Sequence, residues 1–304
     1  MKNITITGSS GFVGTNLQVY LNQFSINSIA LSRGENLGYL DSYKNNIANN
    51  SFDAFIHLAG KAHDLKKTVN DSEYFDVNAE LTKTLYSAFL QSDTKTFIFI
   101  SSVKAAADSI DGILDESYPP NPITAYGKSK LQAEEFIFSN LPDNKRVYIL
   151  RPCLIHGPGN KGNLNLLYKL VSKGLPWPLG SFENKRSYCS IENLCFVIKE
   201  LINRTDIPSG LYNVADDDTL STNQLIALIA KTLNKKPYIL HVPKTFVHFL
   251  SRIGNLLKLP LNIERLQKLT ESYVVSNEKI KSALGKPFPS SAEYGLLKTF
   301  HSFK

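Results

Sequence analysis

The chain reads as an α/β protein built on a parallel, doubly wound sheet, with a smaller, interleaved lobe toward the C-terminus. Three observations predict this. The β-branched alternation Lys2-Asn3-Ile4-Thr5-Ile6-Thr7 runs straight into a glycine turn and then a helical pattern through Leu17, Val19 and Leu21. Short apolar strands then alternate with amphipathic stretches through the first half, as in a sheet covered by helices on both faces. After about Pro152 that alternation loosens. The predicted boundaries are a dinucleotide-binding domain over 1–155, with a later strand near 186–192 returning to it, and a mainly substrate-binding lobe over 156–304.

The first turn, Gly8-Ser9-Ser10-Gly11-Phe12-Val13-Gly14, lies between a strand and a helix, the context a dinucleotide fingerprint requires. Its glycines allow positive φ and let a pyrophosphate approach the amides at the helix N-terminus. The next strand, 26–31, ends where the partner of an adenosine ribose belongs. A carboxylate there selects NAD, whereas Ser32-Arg33 suits a 2′-phosphate and favours NADP; Glu35, close by, keeps NAD open. Phe52 to Gly60 is an apolar strand ending in Leu58, Ala59 and Gly60, small enough for close passage beside a cofactor. His57 within it reads as a structural histidine.

From about Ser72 to Gln91, Phe75, Leu81, Leu85 and Phe89 repeat with helical spacing. Asn78 falls on that apolar stripe, where an amide must find partners: it anchors neighbouring backbone or caps another element. Thr96 to Ile100 is apolar throughout and delivers Ser101-Ser102-Val103 at its carboxyl end, the edge where open α/β sheets bind ligands. Prolines between Asp115 and Pro122 make turns over that edge and then launch a helix containing Tyr126 and Lys130. Residues four apart share a helix face, with Cβ atoms roughly 6 Å apart. A cation there favours the phenolate and makes the tyrosine a usable general acid or base.

The second half carries a helical pattern from Asn165 to Lys173, a turn-rich segment Gly174 to Gly180, and an amphipathic helix from Thr222 to Leu233. Trp177 either stacks on a flat ring or plugs the lobe's core. Between Phe246 and Leu261 apolar and basic residues mix, which fits a packed lid or partner contact better than a membrane-surface helix. The chain has 304 residues, 42% hydrophobic and 20% charged, enough for a large core. Its net charge of +7 suits an anionic ligand, and no concentrated Lys/Arg stripe argues for nucleic acid. Cys153, Cys189 and Cys195 lack metal-ligand spacing and read as reduced core residues of a cytoplasmic protein. No apolar run is long enough for stable membrane insertion.

The glycine turn at 8–14, His57-Leu58-Ala59-Gly60, Ser101-Ser102 and Tyr126-Gly127-Lys128-Ser129-Lys130, in that order, resemble the extended short-chain dehydrogenase/reductases with their Rossmann-type sheet. More narrowly, they resemble the NAD-dependent epimerase/dehydratase group acting on nucleotide sugars. Arg151-Pro152 and His156-Gly157-Pro158-Gly159 are similar to that group's sixth strand and following loop, and Gly210 to Ala215 to its late strand.

The resemblance implies catalytic roles for Ser102, Tyr126 and Lys130. Ser102 holds the sugar C4 oxygen, Tyr126 passes it a proton, and Lys130 holds the nicotinamide ribose while lowering the tyrosine pKa. It implies cofactor contacts from Gly8, Ser10, Gly11, Phe12, Val13 and Gly14, then Tyr39 and Leu40, and Leu58, Ala59, Gly60 and Asn78. Ile100, Ser101, Pro152 and Leu154 complete that set. Substrate contacts follow at Lys61, Val103, Asn163, Leu164, Leu179 and Arg186; the family's second arginine has no clear counterpart, Arg265 being the one candidate. Family members pair through two helices, here 72–91 and the one beginning at Tyr126, so a homodimer is implied.

In the family's 4,6-dehydratases an Asp-Glu pair follows the catalytic hydroxyl; here Val103-Lys104 follows Ser102, which argues against dehydration. Ser32-Arg33 favours a reductase that uses NADPH on a UDP-linked 4-keto-6-deoxy sugar in surface-polysaccharide synthesis. An NAD-dependent 4-epimerase shares every catalytic residue and stays as the alternative. A third reading, a sensor or scaffold without turnover, is disfavoured because Tyr126 and Lys130 are both kept.

Overall fold

The computed structural model describes residues 2–31, 52–61, 70–160, 162–256 and 262–303. Ser32, Arg33, Glu35, Tyr39 and Leu40 lie outside the described residues.

Strands β1 (Lys2–Thr7), β2 (Ile26–Leu31), β3 (Ala54–His57), β4 (Thr96–Ile100), β6 (Arg146–Pro152) and β9 (Gly210–Val214) form one sheet in the order β2-β1-β3-β4-β6-β9. Every pairing in it is parallel. Helices cover both faces, so β3 and β4 are buried at every residue, which is why they read as unbroken apolar runs. The chain leaves β1 (Lys2–Thr7) to one side for β2 and returns to the other for β3. That reversal opens a crevice at the carboxyl edge between β1 and β3.

The crevice is bordered by α1 (Phe12–Asn22), by α2, and by α3 (Ala125–Phe138). Helix α2 runs through Asp71–Tyr74, a π-helical turn Phe75–Glu80, and Leu81–Gln91. The apolar spacing anticipated this helix but not its wide turn, which is centred on Asn78. Short elements complete the mouth: β5 (Ile113–Leu114) pairs with β11 (Val274–Val275). A three-stranded sheet orders β10 (Thr219–Leu220), β8 (Arg186–Ser190) and β7 (Leu154–His156).

The strand near 186–192 is β8, held between β7 and β10 outside the main sheet, with Cys189 packed in the core beneath that sheet; the last strand of the main sheet is β9, whose Asn213 stands in register with Arg151. Helix α5 (Ile191–Asn203) also returns and buries Leu194, Ile198 and Leu201 with Leu17 and Tyr148 beneath the sheet.

A second core joins α4 (Asn163–Ser172), α6 (Thr222–Thr232), α7 (Lys244–Leu256), α8 (Ile263–Thr270) and α10 (Ala292–His301) through Tyr168, Ile229, Val247, Leu266 and Phe300. Between α8 and α10 lies α9 (Glu278–Leu284), which packs on the first core. Trp177 is 4% exposed inside the second core and donates Nε1–H to Asn223 Oδ1 at 3.1 Å, so it plugs this lobe. All three thiols are buried, and burial pushes each thiol pKa up, that of Cys195 to about 12. Among the described residues no helix is long and apolar enough to cross a membrane.

Candidate active site

Gly8 ends β1 with φ +71°, and a Cβ there would lie 2.6 Å from the backbone nitrogen of Ala59. Gly14, in the first turn of α1, sits so close that a Cβ would lie 2.4 Å from the Gly8 carbonyl oxygen. Both positions demand glycine, one for its dihedral and both for close approach. Gly11 caps α1 without a side chain, and the first turn contributes no acidic residue to set against its free amides. Ser10 and Gly11 are exposed at the rim, while Phe12 and Val13 pack against the core beneath.

Across the crevice, Asn78 uses its whole amide. Its Oδ1 accepts from Lys61 N at 2.8 Å, and its Nδ2 donates to Lys61 O at 3.2 Å and to Ser129 Oγ at 3.1 Å. Ser129 Oγ in turn donates to Tyr126 O at 2.9 Å. The π-helical turn thus ties the loop after β3 to the start of α3. A Cβ on Gly60 would come within 3.0 Å of Asn78 Oδ1 and 3.1 Å of Lys130 Nζ, which places the lysine head beside Leu58-Ala59-Gly60. Lys61 itself reaches out to an ion pair with Glu73.

Thr124 caps α3 by accepting from Gly127 N, and Asp108 accepts from Ile123 N, Thr124 N and Thr124 Oγ1, fixing the angle at which the helix enters. Gly127 lets α3 press on the turn after β4: a Cβ would lie 2.4 Å from the Lys104 carbonyl oxygen. That contact brings the Tyr126 phenol to Ser102, with which it hydrogen-bonds. Tyr74 meets the Tyr126 ring edge-on at 6.1 Å.

Lys130, 4% exposed, donates from Nζ to Ile100 O at 2.9 Å and lies 4.7 Å from the centre of the Phe99 ring. Burial lowers its pKa to about 8 against the opposing pull of Glu134. The Tyr126 pKa is raised by burial, with the Ser102 hydrogen bond pulling it down and Tyr74 pushing it up. The net direction is thus opposite to the lowering expected from Lys130. The ammonium is engaged with a carbonyl and a ring face, and burial outweighs the phenol's hydrogen bond to Ser102.

Behind Lys130 stands a buried polar group that the sequence reading missed. Glu134 accepts from Ser101 Oγ at 2.5 Å and pairs with Arg151 through Nε at 2.9 Å and Nη2 at 2.5 Å. Its position, four residues beyond Lys130 on the same helix face, was the available signal. His57, between Thr7 Oγ1 at 2.7 Å and Thr82 Oγ1 at 2.9 Å, is fully buried, and its pKa is pushed down to about 3 by burial and then by Lys130. It is a neutral, satisfied core group, as read.

The proposed substrate contacts are scattered by comparison. Arg186 Nη2 is held by Glu271 Oε1 at 2.9 Å, and the charges of both reach Lys104, beside Ser102. Asn163 is exposed at the start of α4. Leu164 and Leu179 are spent in the second core and Val103 in the first, so their side chains are committed to packing. Pro152 is buried at the end of β6 while Leu154 is exposed, and Arg265 lies in the first turn of α8.

Residues 4–215 match the family described as "NAD dependent epimerase/dehydratase family". The chain belongs to that family. It is 32% identical to a UDP-glucose 4-epimerase of Vibrio cholerae over 99% of this chain and 95% of that one. It is 30% identical to an N-acetyl-alpha-D-glucosaminyl-diphospho-ditrans,octacis-undecaprenol 4-epimerase of Escherichia coli O157:H7, over 92% and 84% of the two chains. Among solved structures, a UDP-glucuronic acid 4-epimerase of Bacillus cereus in complex with NAD superposes with a TM-score of 0.76 at 17% identity, covering 99% and 96%. Family membership makes the chain an enzyme of the epimerase/dehydratase type on the Rossmann-type sheet described above.

Proposed function

We propose that the protein is an NAD-dependent 4-epimerase of a diphosphate-linked hexose or N-acetylhexosamine, with UDP as the carrier. The observation that carries this is the hydrogen-bonded Tyr126–Ser102 pair at the crevice, with Val103-Lys104 following in place of the carboxylates dehydration requires. The NADPH-dependent 4-keto reductase favoured by Ser32-Arg33 gives way, because the Vibrio cholerae and Escherichia coli relatives, 32% and 30% identical, are 4-epimerases. The NADP preference goes with that reading, because the family is described as NAD dependent.

The residues present fit a nicotinamide dinucleotide. Gly8, Gly11 and Gly14 leave backbone rather than side chain over the first turn of α1, and Gly60 leaves space beside Lys130. When bound, the dinucleotide supplies reversible hydride acceptance and return. Tyr126 takes the proton from the sugar C4 hydroxyl and gives it back, and Ser102 holds that oxygen at hydrogen-bond distance. Lys130 contributes positive charge in a dry site, where it acts at low effective dielectric. Arg186 is the cation for the diphosphate, released from Glu271 or shared with it. A homodimer through α2 and α3 belongs to the same reading and is tested by light scattering.

The deciding experiment is to purify the protein, identify any retained dinucleotide, and incubate it with UDP-glucose and with UDP-N-acetylglucosamine without added reductant. Interconversion with the C4 epimer, and no net change in reduced cofactor, is expected. Oxidation of NADPH by a UDP-4-keto-6-deoxy sugar, with no epimerisation, would restore the reductase; tight dinucleotide binding with neither reaction would leave a sensor. The Escherichia coli relative supports one further substrate, the same sugar carried on a polyprenyl diphosphate, to be assayed in parallel.

A further inference from the structure

Helix α7 has two faces that differ in kind. Val247, Ser251 and Gly254 are buried against the lobe. Phe246, Phe249 and Leu250, with Ile253 beside them, recur at three- and four-residue spacing along another stripe, and they are 52%, 58% and 40% exposed. Tyr238 and Leu240, in the stretch leading into the helix, are 54% and 37% exposed.

Charge is distributed just as unevenly. From Thr219 to Leu256 the chain contains five Lys or Arg and no Asp or Glu, so this stretch carries five of the seven net positive charges of the whole chain. Lys235, Lys236, Lys244 and Arg252 are exposed, as are His241 and His248. A partner protein's apolar groove would match the aromatic stripe alone. An anionic bilayer matches both features: the stripe enters the acyl boundary while the basic residues remain at the headgroups.

We propose that α7 and the carboxylate-free stretch before it form a docking surface for an anionic lipid bilayer. The helix packs on α8, whose C-cap residue Glu271 holds Arg186, so the docked membrane lies on the substrate side of the molecule. The surface does not depend on which carrier the site accepts, and its test does not use turnover.

The test is co-sedimentation of the full chain with vesicles of phosphatidylcholine alone and of phosphatidylcholine mixed with phosphatidylglycerol. Partitioning about tenfold stronger onto the mixed vesicles, and weakening as salt is raised, is expected. The F246S/F249S variant should lose about tenfold of that binding while keeping its circular dichroism spectrum. Equal recovery in the supernatant with both vesicle types overturns the proposal, and so does undiminished binding of the variant. A fall in the variant's light-scattering mass without vesicle binding by the parent chain overturns it too, and assigns the stripe to contact between copies.

Discussion

Lys130 Nζ donates a 2.9 Å hydrogen bond to the carbonyl oxygen of Ile100, which fixes the catalytic lysine candidate to the strand that carries Ser101 and Ser102. Burial lowers its pKa to about 8, whereas in the unfolded chain the proton stays on to about 10.5. Between those values the unfolded state binds more protons, so this group's contribution to stability rises with pH across the window and is flat below it. Its slope is at most about 1.4 kcal/mol per pH unit. Chemical denaturation of the parent and K130M chains through that window should give curves that diverge, the parent gaining on the variant as pH rises. Parallel curves would remove Lys130 from its buried position.

Tyr126→Phe removes the phenol that meets Ser102 while keeping the ring against Tyr74. Turnover should fall by about two orders of magnitude or more, the scale of lost general acid–base catalysis, with dinucleotide affinity little changed. Steady-state kinetics beside a fluorescence titration of the cofactor separates the two effects. Near-parental turnover would take Tyr126 out of the mechanism.

Gly127→Ala tests the contact that delivers Tyr126. The added methyl would meet Lys104 O at 2.4 Å, and because that atom is backbone, α3 and the turn after Ser102 must move apart. A displacement of this size at reacting groups costs about tenfold to a hundredfold in kcat. The fold and the Tyr126 side chain remain, so an unchanged circular dichroism spectrum with reduced kcat is the expected pair of results.

Glu134→Gln leaves the Arg151 guanidinium, 1% exposed, without its counter-charge. Breaking such a buried pair from one side costs about 3–5 kcal/mol. Urea denaturation should show that loss, and the double variant E134Q/R151M should recover most of it because no unpaired charge remains. Similar stability of the single and double variants would mean that the pair is not electrostatically coupled.

The parts of this molecule legible in sequence were those governed by local rules. Strand β1, the glycine turn and α1 follow from β-branched alternation and from backbone that only glycine permits. Tyr126 and Lys130 were found because four-residue spacing on a helix is a local relation. Partnerships across the chain were not legible: Glu271 with Arg186 and Arg151 with Glu134 depend on how elements meet, and Asn78 could be read as a backbone anchor but not assigned to Lys61. The sheet that β8 joins was not legible for the same reason. The residues of β8 suit a buried strand in either sheet, and only the neighbouring β7 and β10 decide which. The packing of the Leu164 and Leu179 side chains in the lobe's own core was not legible either, because it joins elements far apart in the chain.

The main sheet is completed by β9, which pairs with β6 although α4, β8 and α5 are all translated between them. A ribosome must therefore release Gly210–Val214 before the backbone edge of Arg146–Pro152 finds its neighbour. Until then the nascent polypeptide exposes a ready template for pairing with other chains, and it is during synthesis, more than after it, that this protein depends on being shielded from its own copies.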